Sequence, residues 1–180
     1  IAYPIVNLNL TNNTASQDLP LTPQITGPGV IISWEISGAI PQGLSFDSNT
    51  GIISGIATEL WPTTNYTVWA NNSGGAVAIE FNITVVDQVP TDVTYGPSNL
   101  QLVNNTGSSE LPLIAQLNGP GEITSWEINA SLPSGLSFGS NNGTIWGTPT
   151  ELWPTTAYQV WANNSGGSVA GYLNITVVDQ

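Results

Sequence analysis

The chain has 180 residues, 40% of them apolar and only 7% charged, and all twelve charges are carboxylates, for a net charge of −12. With no Lys, Arg or His there is no basic footprint for a nucleic-acid backbone or an anionic membrane, and with no His or Cys there is no zinc-type ligand set. No apolar stretch approaches the ~18 residues that a membrane-spanning helix needs.

In chain order, residues 1–11 are predicted as a first strand, because Asn7-Leu8-Asn9-Leu10-Thr11 alternates with the period of a half-buried strand. Residues 19–25 are predicted as a second, interrupted by Pro20 and Pro23, followed by a Gly27-Pro28-Gly29 turn. Residues 31–37 are predicted as a third, with Ile32, Trp34 and Ile36 on one face and Ser33, Glu35 and Ser37 on the other. Leu44-Ser45-Phe46 and Ile52-Ile53-Ser54-Gly55 flank a Ser48-Asn49-Thr50-Gly51 turn, the pattern of a short hairpin. Trp61-Pro62-Thr63-Thr64 reads as a connector, residues 65–71 as a long strand, and Asn72-Ser73-Gly74-Gly75 as a hairpin loop. Residues 77–86 are predicted to close the module, with Val77, Ile79, Phe81, Ile83 and Val85 on one face.

The whole set then returns. A shift of 92 residues aligns 1–88 on 93–180 without a gap, and 55 of the 88 positions are identical. Self-similarity at a fixed period sets the architecture before any element does. The expected organisation is therefore all-β: a sandwich at 1–88, a short linker at 89–92 and a second sandwich at 93–180, with about seven strands in each. Two near-identical copies point to an array, so a chain opening at Ile1 without Met or a leader is read as an excerpt of something longer.

Trp34 on the third strand and Tyr66, two residues before the inward Val68, are marks of an immunoglobulin-like sandwich. Residues 40–55, reading Ile-Pro-Gln-Gly-Leu-Ser-Phe-Asp-Ser-Asn-Thr-Gly-Ile-Ile-Ser-Gly, resemble the signature of the PIG-type immunoglobulin-like repeats of microbial surface proteins, relatives of the cadherin-like domain of dystroglycan. Leu132-Pro133-Ser134-Gly135-Leu136-Ser137-Phe138 followed by Gly143-Thr144-Ile145-Trp146-Gly147-Thr148-Pro149 matches it more fully. The Trp-Ala-Asn-Asn-Ser-Gly-Gly run also resembles repeats of very large archaeal surface proteins, which makes an archaeal source the expectation. The resemblance implies a stalk, filament, surface-layer or adhesion array without catalysis, and it names no ligand.

The chemistry of the residues is sparse. A hydroxyl nucleophile needs a base beside it, and only carboxylates are available; a carboxylate pair acting on a glycoside is the one enzymatic option left. Hard cations take oxygen ligands. The resemblance to cadherin-like arrays implies calcium at the module junction, where Asp87 and Asp92 flank Val89-Pro90-Thr91; the alternative is two solvated linker acids. Trp69 and Trp161 have the outward parity of their strands, and Trp61 and Trp153 lie in the connectors. These four are the candidates for stacking on a glycan, a peptide or a neighbouring module, against the simpler reading that they pack beneath a loop or a glycan.

Ten Asn-x-Ser/Thr sequons stand at Asn9, Asn12, Asn65, Asn71, Asn82, Asn104, Asn129, Asn142, Asn163 and Asn174. Most have outward parity, as glycosylation requires. The expectation is an extracellular structural module, partnered by neighbouring repeats or by copies of itself. Two rivals are an adhesion module that grips glycans or surface proteins through its tryptophans, and a filament subunit that exchanges a strand such as residues 1–11.

Overall fold

The computed structural model covers residues 1–180 and contains strands and no helix. The chain divides into two compact units, Ile1–Asp87 and Gln88–Gln180. The first holds β1 (Asn7–Thr11), β2 (Ser33–Ile36), β3 (Leu44–Phe46), β4 (Ile53–Gly55), β5 (Trp61–Asn72) and β6 (Gly75–Val86). The second holds β7 (Asp92–Thr94), β8 (Asn99–Val103), β9 (Gln116–Asn118), β10 (Ser125–Ile128), β11 (Leu136–Phe138), β12 (Ile145–Gly147), β13 (Trp153–Asn164) and β14 (Gly167–Val178).

Each unit has a four-stranded sheet, ordered β1-β6-β5-β2 in the first and β8-β14-β13-β10 in the second. β1 and β8 run parallel to their neighbours, and the other pairings are antiparallel. The opposing layer is the β3–β4 hairpin, or β11–β12, extended by a single bridge from Leu21 to Ile53 or from Leu113 to Ile145. Period-two alternation fills the space between the layers. Tyr66, Val68 and Ala70 of β5, Phe81, Ile83 and Val85 of β6, Leu8 and Leu10 of β1 and Trp34 of β2 close on Leu21, Ile53 and Ala57. Tyr66 donates its hydroxyl to the Ala39 carbonyl at 2.9 Å, and Tyr158 repeats the bond to Ser131 at 3.2 Å. This ties a core strand to the preceding loop, the corner expected of an immunoglobulin-like sandwich.

The units have six and eight strands, in keeping with the expected count of about seven. Other expectations are corrected. Residues 19–25 form no continuous strand; Pro20 and Pro23 have no N–H to donate, and only the bridges Leu21↔Ile53 and Ala2↔Gln24 form. The connector at Trp61-Pro62-Thr63-Thr64 is the start of β5, with a register shift between Trp61 and Thr64 where Pro62 cannot join the ladder. Ile32 and Val77 have inward parity but are 68% and 55% exposed. They lie where the sheet runs past its opposing layer, so parity places them on the inner face without covering them. Residues 1–11 end in β1, which pairs along five positions of β6 and buries Leu8 and Leu10.

The stretch 89–92, set apart by sequence as a linker, bonds into the second unit. Thr91 N donates to Asn118 O at 3.0 Å, and Asp92 is the first residue of β7.

Candidate functional site: the outer sheet face

On β5 the residues opposite in parity to the core are Asn65, Thr67, Trp69 and Asn71. Their partners on β6 are Asn82, Glu80, Ala78 and Ala76, and β2 sets Glu35 beside Trp69 and Ser33 beside Asn71. The same registers recur at Trp161, Ala170 and Glu127 in the second unit. Across β1 the row continues as Asn7↔Asn82 and Asn9↔Thr84. The outer face of each sheet is thus rich in Asn and Thr, with Ala and Glu beside a central Trp.

Short side-chain bonds order this ladder. Asn82 Nδ2 donates to Asn7 Oδ1 at 2.6 Å, and Asn174 Nδ2 to Asn99 Oδ1 at 2.7 Å. The Thr63 and Thr84 hydroxyls meet at 2.8 Å, as do those of Thr155 and Thr176. Asn71 Nδ2 donates to Glu35 Oε1 at 3.3 Å, and Asn163 Nδ2 to Ser125 Oγ at 3.5 Å. Cross-strand pairs of this kind stabilise a sheet modestly but fix its register.

None of the ten sequon asparagines is buried. Asn9, Asn65, Asn129 and Asn142 are exposed, while Asn12, Asn71, Asn82, Asn104, Asn163 and Asn174 are half-buried. Glycan attaches through Nδ2, so the distinction matters: in Asn71, Asn82, Asn163 and Asn174 that nitrogen is held by a neighbour.

The four candidate tryptophans differ in setting. Trp69 and Trp161 are half-buried at the centre of the outer faces. Trp61 and Trp153 are strand residues packed against the cores, not loop residues, and their indole Nε1 atoms are buried without a geometric hydrogen-bond partner. Burial pushes the Tyr66 and Tyr158 hydroxyls up, and the neighbouring Trp61 and Trp153 indoles oppose that shift. Trp153 also borders an open depression of about 490 Å³ with Leu152, Pro154 and Val177.

Two aromatics escaped the sequence reading. Tyr172, 66% exposed, stands where the first unit has Glu80; it pairs with Gln159, whose Nε2 donates to its hydroxyl at 3.1 Å, diagonal to Trp161. Trp146, also exposed, stands where the first unit has Ser54. Both were visible as outward positions where an aromatic replaces a polar residue of the other copy.

Three of the carboxylates cap loops. Glu59 Oε1 accepts from Gln42 N at 2.7 Å, Glu151 Oε1 from Ser134 N at 2.6 Å, and Asp47 Oδ1 from Asn49 N at 2.8 Å. The Asn49 N–H holds Asp47 below the usual carboxylate range, and the Ser134 N–H does the same for Glu151. Asp87 follows β6, and Asp92 opens β7 in the other unit. Nowhere do three acidic side chains gather as a metal-binding group.

Two immunoglobulin-like sandwiches in one chain, each with a polar outer face, define the class. The family described as "Putative Ig domain" matches residues 2–86 and again 89–178, and the chain belongs to it. Among curated proteins it is similar to the "Serine-rich adhesin for platelets" of Staphylococcus aureus, 32% identical over 147 residues. That match covers 81% of this chain but only 6% of the adhesin, and 10% of the version from strain MRSA252. Among solved structures it is similar to titin domains I67–I69 in an E-to-A variant, with TM-score 0.48 and 14% identity over 98% of this chain and 65% of that one. The N-terminal four Ig domains of Dscam1 isoform 7.44 give TM-score 0.47 and 13% identity over 99% and 44%.

Proposed function

We propose that the chain is a pair of structural repeats from an extracellular, cell-surface protein of the adhesin or stalk type, without catalysis of its own. The observation that carries this is the outer sheet face. Both copies devote it to the same bonded pairs of Asn and Thr, and Glu59 and Glu151 repeat the same loop cap in each. The surface adhesin that matches four-fifths of the chain supports the same location. Neighbouring repeats are the natural partners of such a module.

The sequons make the location testable. Peptide mass spectrometry of protein isolated from its source should find glycan first at Asn9, Asn65, Asn129 and Asn142, where the amide is exposed, and less at Asn82 and Asn174, where it is bonded. Bare asparagine at all ten positions would remove the glycosylation argument and with it the main support for a surface location.

A second reading, in which the face grips a glycan or a surface protein, is favoured by Tyr172 beside Trp161. Aromatic rings on a flat sheet stack on sugars and peptides. A glycan array probed with the intact chain and with Trp161→Ala separates the two. The structural reading expects no signal that depends on Trp161. A Trp161-dependent signal would turn the assignment to the binding module.

A further inference from the structure

The two units share a fold but differ at one pole, where the second holds the segment 88–91. In the second unit the segment Gln88-Val89-Pro90-Thr91 lies along the tip of the sandwich. Asn164 Nδ2 donates to Gln88 O at 2.7 Å, and Thr91 N donates to Asn118 O at 3.0 Å. Val89 covers Gly167, where an added Cβ would meet its Cγ2 at 3.2 Å. Gly121 passes so close that its Cβ would stand 2.0 Å from Gln88 O. Pro90 is buried. With the segment in place, β7 pairs with β9 through Asp92↔Asn118, Val93↔Leu117 and Thr94↔Gln116.

In the first unit the same walls stand open. Their residues line a groove of about 310 Å³ that includes Ile1, Ile25, Gly29, Asn72, Gly75 and Val77. The pairing shrinks to the one bridge Ala2↔Gln24, the copy of Thr94↔Gln116. That is why this unit lacks two strands. Ile25 is 52% exposed where Leu117 is 36%. Val77 is exposed where Val169 packs against the core. A Cβ on Gly27 or Gly75 would touch nothing within 4 Å, whereas at Gly119 and Gly167 it would meet Thr91 and Val89. Asn72, the copy of the Asn164 that holds Gln88, is present on the groove wall.

We propose that this groove is a docking site for an extended segment of the Gln-Val-Pro-Thr type, supplied by the end of a preceding repeat. The occupant is identified by the second unit, which holds that segment on the same walls. Recognition would use one main-chain carbonyl on the Asn72 amide, a β-branched side chain over Gly75, and a strand added alongside residues 24–26, a form of β-augmentation. A preceding repeat as the source rests on reading the chain as part of an array; the groove and its chemistry do not.

The test is an intact chain extended by Gln-Val-Pro-Thr-Asp directly before Ile1, which puts each added residue in the register of 88–92, compared with an extension of five Gly and Ser residues. The Gln-Val-Pro-Thr-Asp extension should raise the melting temperature of the first unit by about 4–8 °C relative to the Gly/Ser control, the shift of a domain this size for a modest stabilisation. It should also slow hydrogen exchange at Thr26 and Val77. Asn72→Ala should abolish the gain in a cycle comparing both extensions in both backgrounds, which separates docking from the role of Asn72 Oδ1 in its own turn, where it accepts from Gly74 N at 2.8 Å. Equal melting and exchange for the two extensions would overturn the proposal. So would groove protection in the unextended chain that grows with protein concentration, since the groove would then be an interface between copies. A gain from the extension in a protein whose sequons are bare would leave the groove standing and remove the surface reading alone.

Discussion

Trp34→Ala is expected to destabilise the first unit by about 3–5 kcal/mol, the range for removing a large aromatic from a packed core. Trp34 is nearly fully buried at the centre of β2. Its ring lies on Gly51, where even a Cβ would come within 2.6 Å of Cδ2. The turn that carries Gly51 is fixed from several directions. Gly51 N donates to Asp47 O at 2.7 Å, Trp34 N to Ser48 O at 2.8 Å, and the Tyr3 hydroxyl to Gly51 O at 2.5 Å. Burial pushes that hydroxyl up to about 12, so at neutral pH it remains a donor. With both walls tied down the site cannot collapse into the space left by the indole, and the cavity penalty adds to the lost transfer energy. Trp126→Ala should behave alike in the second unit, where Gly143 takes the place of Gly51. Glu35→Ala, one residue along the strand on the outer face, should stay within about 0.5 kcal/mol of the parent. Chemical denaturation of the three variants measures this; a Trp34→Ala protein that melts within a degree or two of the parent would mean that the ring is not a core residue.

Trp34 shows why much of this fold was legible. Its parity, that of Tyr66 and Val68, and that of Phe81, Ile83 and Val85 follow from a period of two, and that period is a property of the backbone. The β3–β4 hairpin was legible for a second reason: Gly51 at φ +71 is a local conformational demand that sequence states directly. Parity says which face a residue is on, not whether anything covers that face. Val77 lacks the cover that its copy Val169 has in the second unit, whereas Thr124, the copy of Ile32, is exposed as Ile32 is. Trp61 was misplaced because a Pro beside it reads as loop, although a strand accommodates Pro62 through a register shift. Tyr172 and Trp146 are not part of the pattern the two copies share, since they stand where the first copy has Glu80 and Ser54.

The glycines of the signature at 40–55 carry the other large effect. Gly43 sits at φ +88 and Gly55 at φ +119. Each needs glycine twice over, since a Cβ on Gly43 would lie 2.0 Å from Ile56 O and one on Gly55 2.2 Å from Gly43 O. The two backbones approach this closely because they are bonded. Ile56 N donates to Gly43 O at 3.1 Å, Thr58 N to Gln42 O at 2.8 Å, and Glu59 caps Gln42 N. The second unit repeats the clamp with Gly135, Gly147 and Glu151. The clamp joins the β3–β4 layer to the segment that leads into β5, so it sets how the two layers of the sandwich meet. A substitution here cannot be absorbed by a rotamer, because the backbone fixes where the new Cβ stands and the atom it meets is a main-chain carbonyl oxygen. Gly55→Ala is expected to cost the first unit at least about 2 kcal/mol, combining the strain of a left-handed residue with the loss of the Ile56–Gly43 bond. Gly38→Ala is the matched control: its Cβ would meet nothing within 4 Å and its φ lies outside the left-handed region, so it should be neutral or slightly stabilising through the unfolded chain. Denaturation midpoints for the two variants decide the matter. If Gly55→Ala and Gly38→Ala unfold together, the signature glycines are not set by backbone approach, and the clamp does not hold the layers as described.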